Sequence, residues 1–285
     1  DAGATEMQLG AITAIPALTT IISCIPGNSF GLRYGKRTLF IWSQYLGVAC
    51  GALFYLTKGL GFLIVPEIIY GLSNMLFWPT FSAYVTEAIA PAKRASAIGY
   101  AMAASTLGSI LSPIVAGFII DAAGYKPVFI LYVLISVAGL MTARILPKLP
   151  TDFEGSVAAT ILAGYRGVGS MLKQPILQVL TMNTFMQYLS LAVAESFVAA
   201  FLRGADYSAT FIGTTVTLRT AATTFVRLFM GPLVARIGVA PLLFSGVFIC
   251  SIAGALVPVF PVPAYVTVAN VLIGAGFGVN PVLTS

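Results

Sequence analysis

The stretch "RLFMGPLVARIG" (residues 227–238) closes an apolar run on Arg236-Ile237-Gly238, and "NSFGLRYGKR" (28–37) closes another on Arg33-Tyr34-Gly35. The two Arg-x-Gly endings lie 203 residues apart (236 − 33 = 203). An arginine at the end of an apolar helix complements the negative C-terminal dipole and anchors that end at the aqueous face. A glycine two residues later permits a reversal of only a few residues. Both stretches therefore read as tight hairpins between apolar helices, and the fixed offset reads as a duplication.

Composition fixes the medium. The 285 residues are 58% hydrophobic and 8% charged, with no histidine, against about a quarter charged in ordinary soluble domains. Such a chain cannot cover itself for water and reads as an all-α integral membrane protein. Nine apolar runs are long enough for a ~30 Å hydrocarbon core: about 7–28, 38–57, 60–85, 95–119, 126–146, 174–200, 209–235, 239–260 and 264–285. None shows the ten-residue alternation of a barrel strand. The first run has no basic n-region or small-residue cleavage site, so it is no signal peptide.

Basic residues orient the chain. Ten lie in one set of alternate loops: Arg33, Lys36 and Arg37; Lys93 and Arg94; Arg144, Lys148, Arg166 and Lys173; and Arg236. Three, Lys58, Lys126 and Arg203, lie in the other set. The richer set belongs in the cytoplasm, with Asp1 outside. The net charge of +6 is thus a topology signal and does not mark a nucleic-acid surface. Cys24, Cys50 and Cys250 all fall within apolar runs, where they read as small core residues; they form no disulfide framework or metal spacing.

The connection from Arg144 to Lys173, with "PKLPTDFEG" and "YRGVGSMLKQP", is polar and rich in Pro and Gly, as a linker between bundles would be. A surface helix is expected at 156–172. The predicted organisation is a first bundle over 1–146, a linker over 147–173 and a second bundle over 174–285. A shift of about 203 also lays Glu67 on Asn270, and "YGLSNMLFWP" (70–79) near "IGAGFGVNP" (273–281), Pro281 following Pro79 by 202. Six helices per pseudo-symmetric half would need one more before Asp1 and two after Ser285, so the count predicts bundles incomplete at both ends.

On these residues the chain resembles the major facilitator superfamily of secondary transporters, running from that fold's second helix to its tenth. The family's loop pattern Gly-x-x-x-Asp-Arg-x-Gly-Arg-Arg is matched by Arg33, Gly35, Lys36 and Arg37, with Asn28 and Leu32 replacing the glycine and aspartate. The second copy keeps Gly231, Arg236 and Gly238, with Ala235 at the aspartate position. In the family that aspartate helps latch the two bundles, and neither copy here carries it. "GSILSPIVAG" (108–117) resembles Gly-x-x-x-Gly-Pro-x-x-Gly-Gly, keeping Gly108, Pro113 and Gly117, with Ser112 and Ala116 at the other glycines. The resemblance associates this motif with antiporters. Read alone, small residues at 108, 112 and 116 line one face for close helix contact, and Pro113 adds a kink. "AYVTEAIAPAKRASAIGYAMA" (83–103) is similar to the family's next cytoplasmic connection, with Glu87 and Arg94 pairing or snorkelling there.

Polar groups inside a span cost several kcal/mol and are functional candidates. Glu67, with Gly71 and Asn74 on the same face, heads the set. Asn183 and Gln187 follow on one helix, Thr215, Arg219 and Thr223 form a stripe on the next, and Asn270 is the repeat partner of Glu67. In a two-bundle transporter such residues meet near the midplane, at the repeat interface. Each has a bland alternative: solvation near the outer surface for Glu67, snorkelling for Arg227, an interfacial place for Glu195, a turn or helix-end role for Asp121, and interhelical glue for the amides. No nucleotide loop is present: "YGKRT" follows its lysine with arginine, and "GAGFG" (274–278) lies inside a span. Without cofactor or ATP, a gradient remains as the energy source, and a membrane glutamate is the usual proton carrier.

The expected function is therefore a monomeric multi-pass plasma-membrane transporter that moves a small solute by alternating access, with proton-coupled export leading. Uptake of a sugar or organic anion by symport stays open. A channel would want polar rings from an oligomer, and an enzyme would want clustered His, Asp or Cys at the surface; neither pattern is seen.

Overall fold

The computed structural model describes residues 5–150, 153, 155–171, 173–193, 198–257, 259 and 262–283. Among these residues there are helices and no strands. The order is α1 (Glu6–Tyr34), α2 (Lys36–Leu56), a 3-10 turn (Leu60–Leu63), α3 (Ile64–Ala88), α4 (Pro91–Ala123) and α5 (Lys126–Ile145). After these come α6 (Val157–Met171), α7 (Pro175–Val193), α8 (Ala199–Gly204), α9 (Ala209–Leu228), α10 (Met230–Ile237), α11 (Val239–Leu256) and α12 (Pro263–Leu283). Five stretches among the described residues are long and apolar enough to cross a membrane: 10–34, 36–56, 60–88, 97–123 and 126–145. The other four expected spans fall on α7, α9 with α10, α11 and α12. α9 carries two arginines and a row of threonines within its 20 residues.

The opening stretch resolves into matched hairpins. Gly35 alone joins α1 to α2 at φ 83°, ψ 148°, and Gly238 alone joins α10 to α11 at φ 86°, ψ 164°. That corner of backbone space is open essentially to glycine only. Each glycine amide bonds back four residues, Gly35 N–H to Gly31 O at 3.1 Å and Gly238 N–H to Val234 O at 2.9 Å.

One expected helix is two. The run 209–235 breaks at Phe229 (φ −100°, ψ 6°) into α9 and α10. Pro232 explains the position: it has no amide to donate to the Leu228 carbonyl, and its ring crowds that carbonyl. Phe229 N–H instead bonds to Val226 O at 3.0 Å, tightening the last turn of α9. Pro16, Pro26, Pro79 and Pro113 sit inside helices that stay continuous.

By packing, the chain forms two compact units: 1–102 with 125–171, and 103–124 with 172–285. The last part of α4 therefore packs with the second unit, although the repeat reading groups it with residues 1–146.

In the first unit α2 lies between α3 and α5. Ser73 Oγ donates to Ser43 O at 2.9 Å, and Gly51 lies directly under Tyr132 and Val133. The start of the linker is bound to this unit: Tyr84 Oη donates to Pro147 O at 3.0 Å, and Leu146 and Leu149 pack on Phe40, Tyr84 and Ala143. The expected surface helix is α6, which lies on α1 with Gly164 against Ile25 and Tyr165 Oη donating to Ile22 O at 3.1 Å.

In the second unit α12 lies between α9 and α11, over a core of Leu202, Cys250, Ala253, Val257, Val266 and Ile273. The 203-residue offset reappears here as packing. Thr20 Oγ1 donates to Gly71 O at 3.2 Å, and Thr223 Oγ1 donates to Gly274 O at 2.8 Å. Gly71 abuts the Pro16 carbonyl, and Gly274 abuts that of Arg219. Ser73 meets the Ser43 carbonyl, and Gly276 meets that of Gly246. Every residue of the second set follows its counterpart by 203.

Candidate translocation residues and their helix seams

Four polar positions of the second unit, Thr215, Arg219, Thr223 and Asn270, are buried on α9 and α12, which pack together. Arg219 is 5% exposed, Thr215 and Asn270 are 2% exposed, and Thr223 is also buried. α9 places 215, 219 and 223 on one stripe because they are four apart. The threonines are satisfied by carbonyls: Thr215 Oγ1 donates to Ile212 O at 2.8 Å, and Thr223 Oγ1 to Arg219 O at 3.0 Å as well as to Gly274 O. Asn270, one turn before Gly274, donates from Nδ2 to Val266 O at 3.0 Å. Arg219 lies on that stripe of α9 between Thr215 and Thr223.

The equivalent seam of the first unit carries different chemistry. Pro16 stands where Arg219 stands, and Glu67 where Asn270 stands. Glu67 is half-buried in the first turn of α3, beside Pro66, whose carbonyl receives the Cys50 thiol at 3.5 Å. Gly71 faces α1, while Asn74 is partly buried and donates to Tyr70 O of its own helix at 3.2 Å. Asn183 and Gln187 lie on α7, but their side chains fall outside the described residues, as does Glu195. Arg227 is exposed, 5.9 Å from the Phe277 ring centroid.

The loop motif is largely structural. Gly35 and Gly238 make the turns, while Arg33 and Arg236 are exposed at the helix ends and Gly231 lies at the start of α10. Lys36 pairs with Glu87, whose side chain is 49% exposed, and Arg37 donates to the Arg144 carbonyl. Arg94 Nε donates to Ile89 O at 2.9 Å.

The proline-glycine motif packs α4 on α9, one position round from the expected face. Gly108 has nothing near a would-be Cβ, and Ser112 is exposed. Contact runs through Ile110, Pro113, Gly117 and Asp121. Gly117 lies against the Ala209 carbonyl, Gly213 lies against that of Pro113, and Thr217 Oγ1 donates to Ile110 O at 2.8 Å. The sequence spaced small residues by four but did not show which small-residue face meets a helix.

Asp121 was expected to be a turn or helix-end residue. It is at a helix end, and its carboxylate also accepts from Ala209 N–H at 2.9 Å and Thr210 N–H at 2.7 Å. Ser208 Oγ takes the next amide, Phe211 N–H, at 3.1 Å. The three amides that the first turn of α9 leaves free are thus capped. The signal that sequence reading passed over at the seams is the Thr–Gly pair, 20 with 71 and 223 with 274, repeated at the offset already set by the hairpins.

An apolar groove of about 720 Å³ lies between α7 and α11, lined by Val179, Met182, Met186, Phe244, Phe248 and Ser251 among others. Among the described residues no cluster of His, Cys, Asp or Glu is placed to hold a metal ion.

The family profile of the Major Facilitator Superfamily matches residues 1–285. The "Probable actinorhodin transporter" of Streptomyces coelicolor is 27% identical over 150 residues, 51% of this chain and 26% of that protein. The "Methylenomycin A resistance protein" of Bacillus subtilis is 27% identical over 150 residues, 51% of this chain and 32% of its own length. The chain thus aligns with about a third or less of these curated relatives. The crystal structure of a D-xylose–proton symporter superposes with a TM-score of 0.70 at 14% identity, covering 97% of this chain and 71% of that one. At that identity the likeness is one of fold.

Proposed function

The chain belongs to the major facilitator superfamily, a multi-pass membrane transporter family, and on that footing we propose that it supplies helices two to ten of a twelve-helix secondary transporter. The bundles are 1–146 and 174–285, joined by 147–173. The protein works as a monomer in the plasma membrane and exports a small organic solute by alternating access, in exchange for protons. The observation that carries this reading is Arg219, a guanidinium held at 5% exposure within a polar stripe of a membrane helix. A charge in that place is costly unless it serves a solute, an ion or a partner.

In this reading Glu67 takes and releases the proton, Arg219 draws the anionic or polar group of the solute, and Asn74, Asn183, Gln187 and Asn270 supply hydrogen bonds along the path. Export is favoured over uptake by the relatives named for actinorhodin transport and methylenomycin A resistance.

The test is flux of a panel of small organic solutes in vesicles holding the twelve-helix protein, with and without a pH gradient. Accumulation of a solute against its gradient, opposite to proton flow, is expected. Flux that ignores the pH gradient for every solute carried contradicts proton coupling. Orientation is checked with cysteines at positions 93 and 126 in a version lacking native cysteines. An impermeant thiol reagent outside intact cells should label 126 alone, and labelling of 93 alone reverses the topology.

A further inference from the structure

We propose that Asp121 is a latch on the outer face, holding the end of α4 to the start of α9 and setting how readily that side of the transporter opens. This rests on the transporter reading and on the cytoplasmic assignment of the basic loops, which places the C-terminus of α4 and the N-terminus of α9 outside. The contact is built in two layers. Below, the backbones meet closely at Gly117–Ala209 and Gly213–Pro113, with Thr217 bonded to the Ile110 carbonyl. Above, both carboxylate oxygens of Asp121 are taken by consecutive amides of α9, at 2.9 and 2.7 Å. These are charge-assisted bonds to the positive end of a helix dipole, the stronger kind for their length.

The arrangement suits a latch better than a rivet. Asp121 is exposed, so when the helices part, water replaces the amides at the carboxylate and the carboxylate at the amides. The contact then shifts an equilibrium between closed and open outer faces and does not block the cycle. Ser208 provides the internal comparison. It caps the same α9 turn from within its own helix, through Phe211 N–H, so its bond survives separation of α4 from α9. Loss of the Ser208 bond weakens the turn alone. Loss of the Asp121 bonds weakens the turn and releases the seam.

The experiment uses the twelve-helix protein with its native cysteines replaced and Ile114→Cys, in the α4 backbone beside Gly213, as reporter. Labelling by an impermeant maleimide from outside is followed without solute, so it reads the seam even if no transported solute is known. Asp121→Ala should raise the labelling rate about tenfold by shifting the open population. Asp121→Asn keeps the volume and one acceptor oxygen and should give a smaller rise. Ser208→Ala should leave the rate unchanged. Equal rises for Asp121→Ala and Ser208→Ala, or no rise for either Asp121 variant, overturn the latch. Absent proton-driven flux with the expected labelling pattern would leave the latch standing and remove the function proposed above.

Discussion

The seam between α1 and α3 and the seam between α9 and α12 share a frame and differ in content. In both, a threonine hydroxyl meets a glycine carbonyl, and that glycine abuts a carbonyl one turn back on the threonine's helix. Between those fixed points the first seam has Pro16 and Glu67, and the second has Arg219 and Asn270. In lipid, helices gain little from apolar contact with one another, because the tails are as apolar as leucine. Close packing and satisfied hydroxyls must hold them, so the glycines and threonines recur while the ionisable positions are free to diverge. The duplication therefore preserves how the helices are held and leaves each unit its own charge.

The largest blow to that equivalence is steric. Gly71→Val and Gly274→Val each drive a side chain into a neighbouring backbone carbonyl, and overpacking of this kind costs about 1–3 kcal/mol or more. Thermal unfolding in detergent should show similar losses for both, while Gly108→Val, with open space around its Cβ, should lose far less. A Gly274→Val protein as stable as Gly108→Val would mean the second seam is not a copy of the first.

A smaller change sharpens the same comparison. Thr20→Val and Thr223→Val each remove one interhelical hydroxyl bond, and such bonds average about 0.6 kcal/mol and reach about 1.7 kcal/mol. The two losses should be alike and should add in the double variant, because the sites share no partner. Strong non-additivity in the unfolding free energies would couple what the frame treats as separate.

The least effect is expected at the Gly35 hairpin end of the first unit, where Lys36 pairs with an exposed Glu87. Glu87→Gln should cost under about 1 kcal/mol and less still at high salt. A larger, salt-independent loss would make this pair a structural element with no counterpart in the second unit.

Much of this was legible in residues 28–37 and 227–238. The two glycines had to turn a chain leaving the membrane, and their spacing gave the offset that the packing obeys. Glu67 and Asn270 were paired by the same offset. Three features escaped. The break at Phe229 escaped because prolines such as Pro16, Pro26, Pro79 and Pro113 lie inside unbroken helices, so proline alone does not locate a break. The α4 contact face escaped because Gly108, Ser112 and Ala116 offer the same small-residue spacing as Pro113 and Gly117, and lipid leaves no hydrophobic pattern to choose between faces. The cap by Asp121 escaped because its partners, Ala209 and Thr210, are far away in sequence. Tertiary contact alone supplies that information.

The central claim is that one frame carries two charges with separate tasks. The most direct test compares proton-driven accumulation and solute affinity in the full-length protein for Glu67→Gln and Arg219→Ala, at matched expression. Glu67→Gln should abolish pH-driven accumulation yet leave solute exchange largely intact. Arg219→Ala should weaken affinity about tenfold or more, as the loss of a charge-assisted contact does, and Arg219→Lys should recover part of it. Wild-type pH dependence in Glu67→Gln, together with unchanged affinity in Arg219→Ala for every solute carried, would contradict the claim.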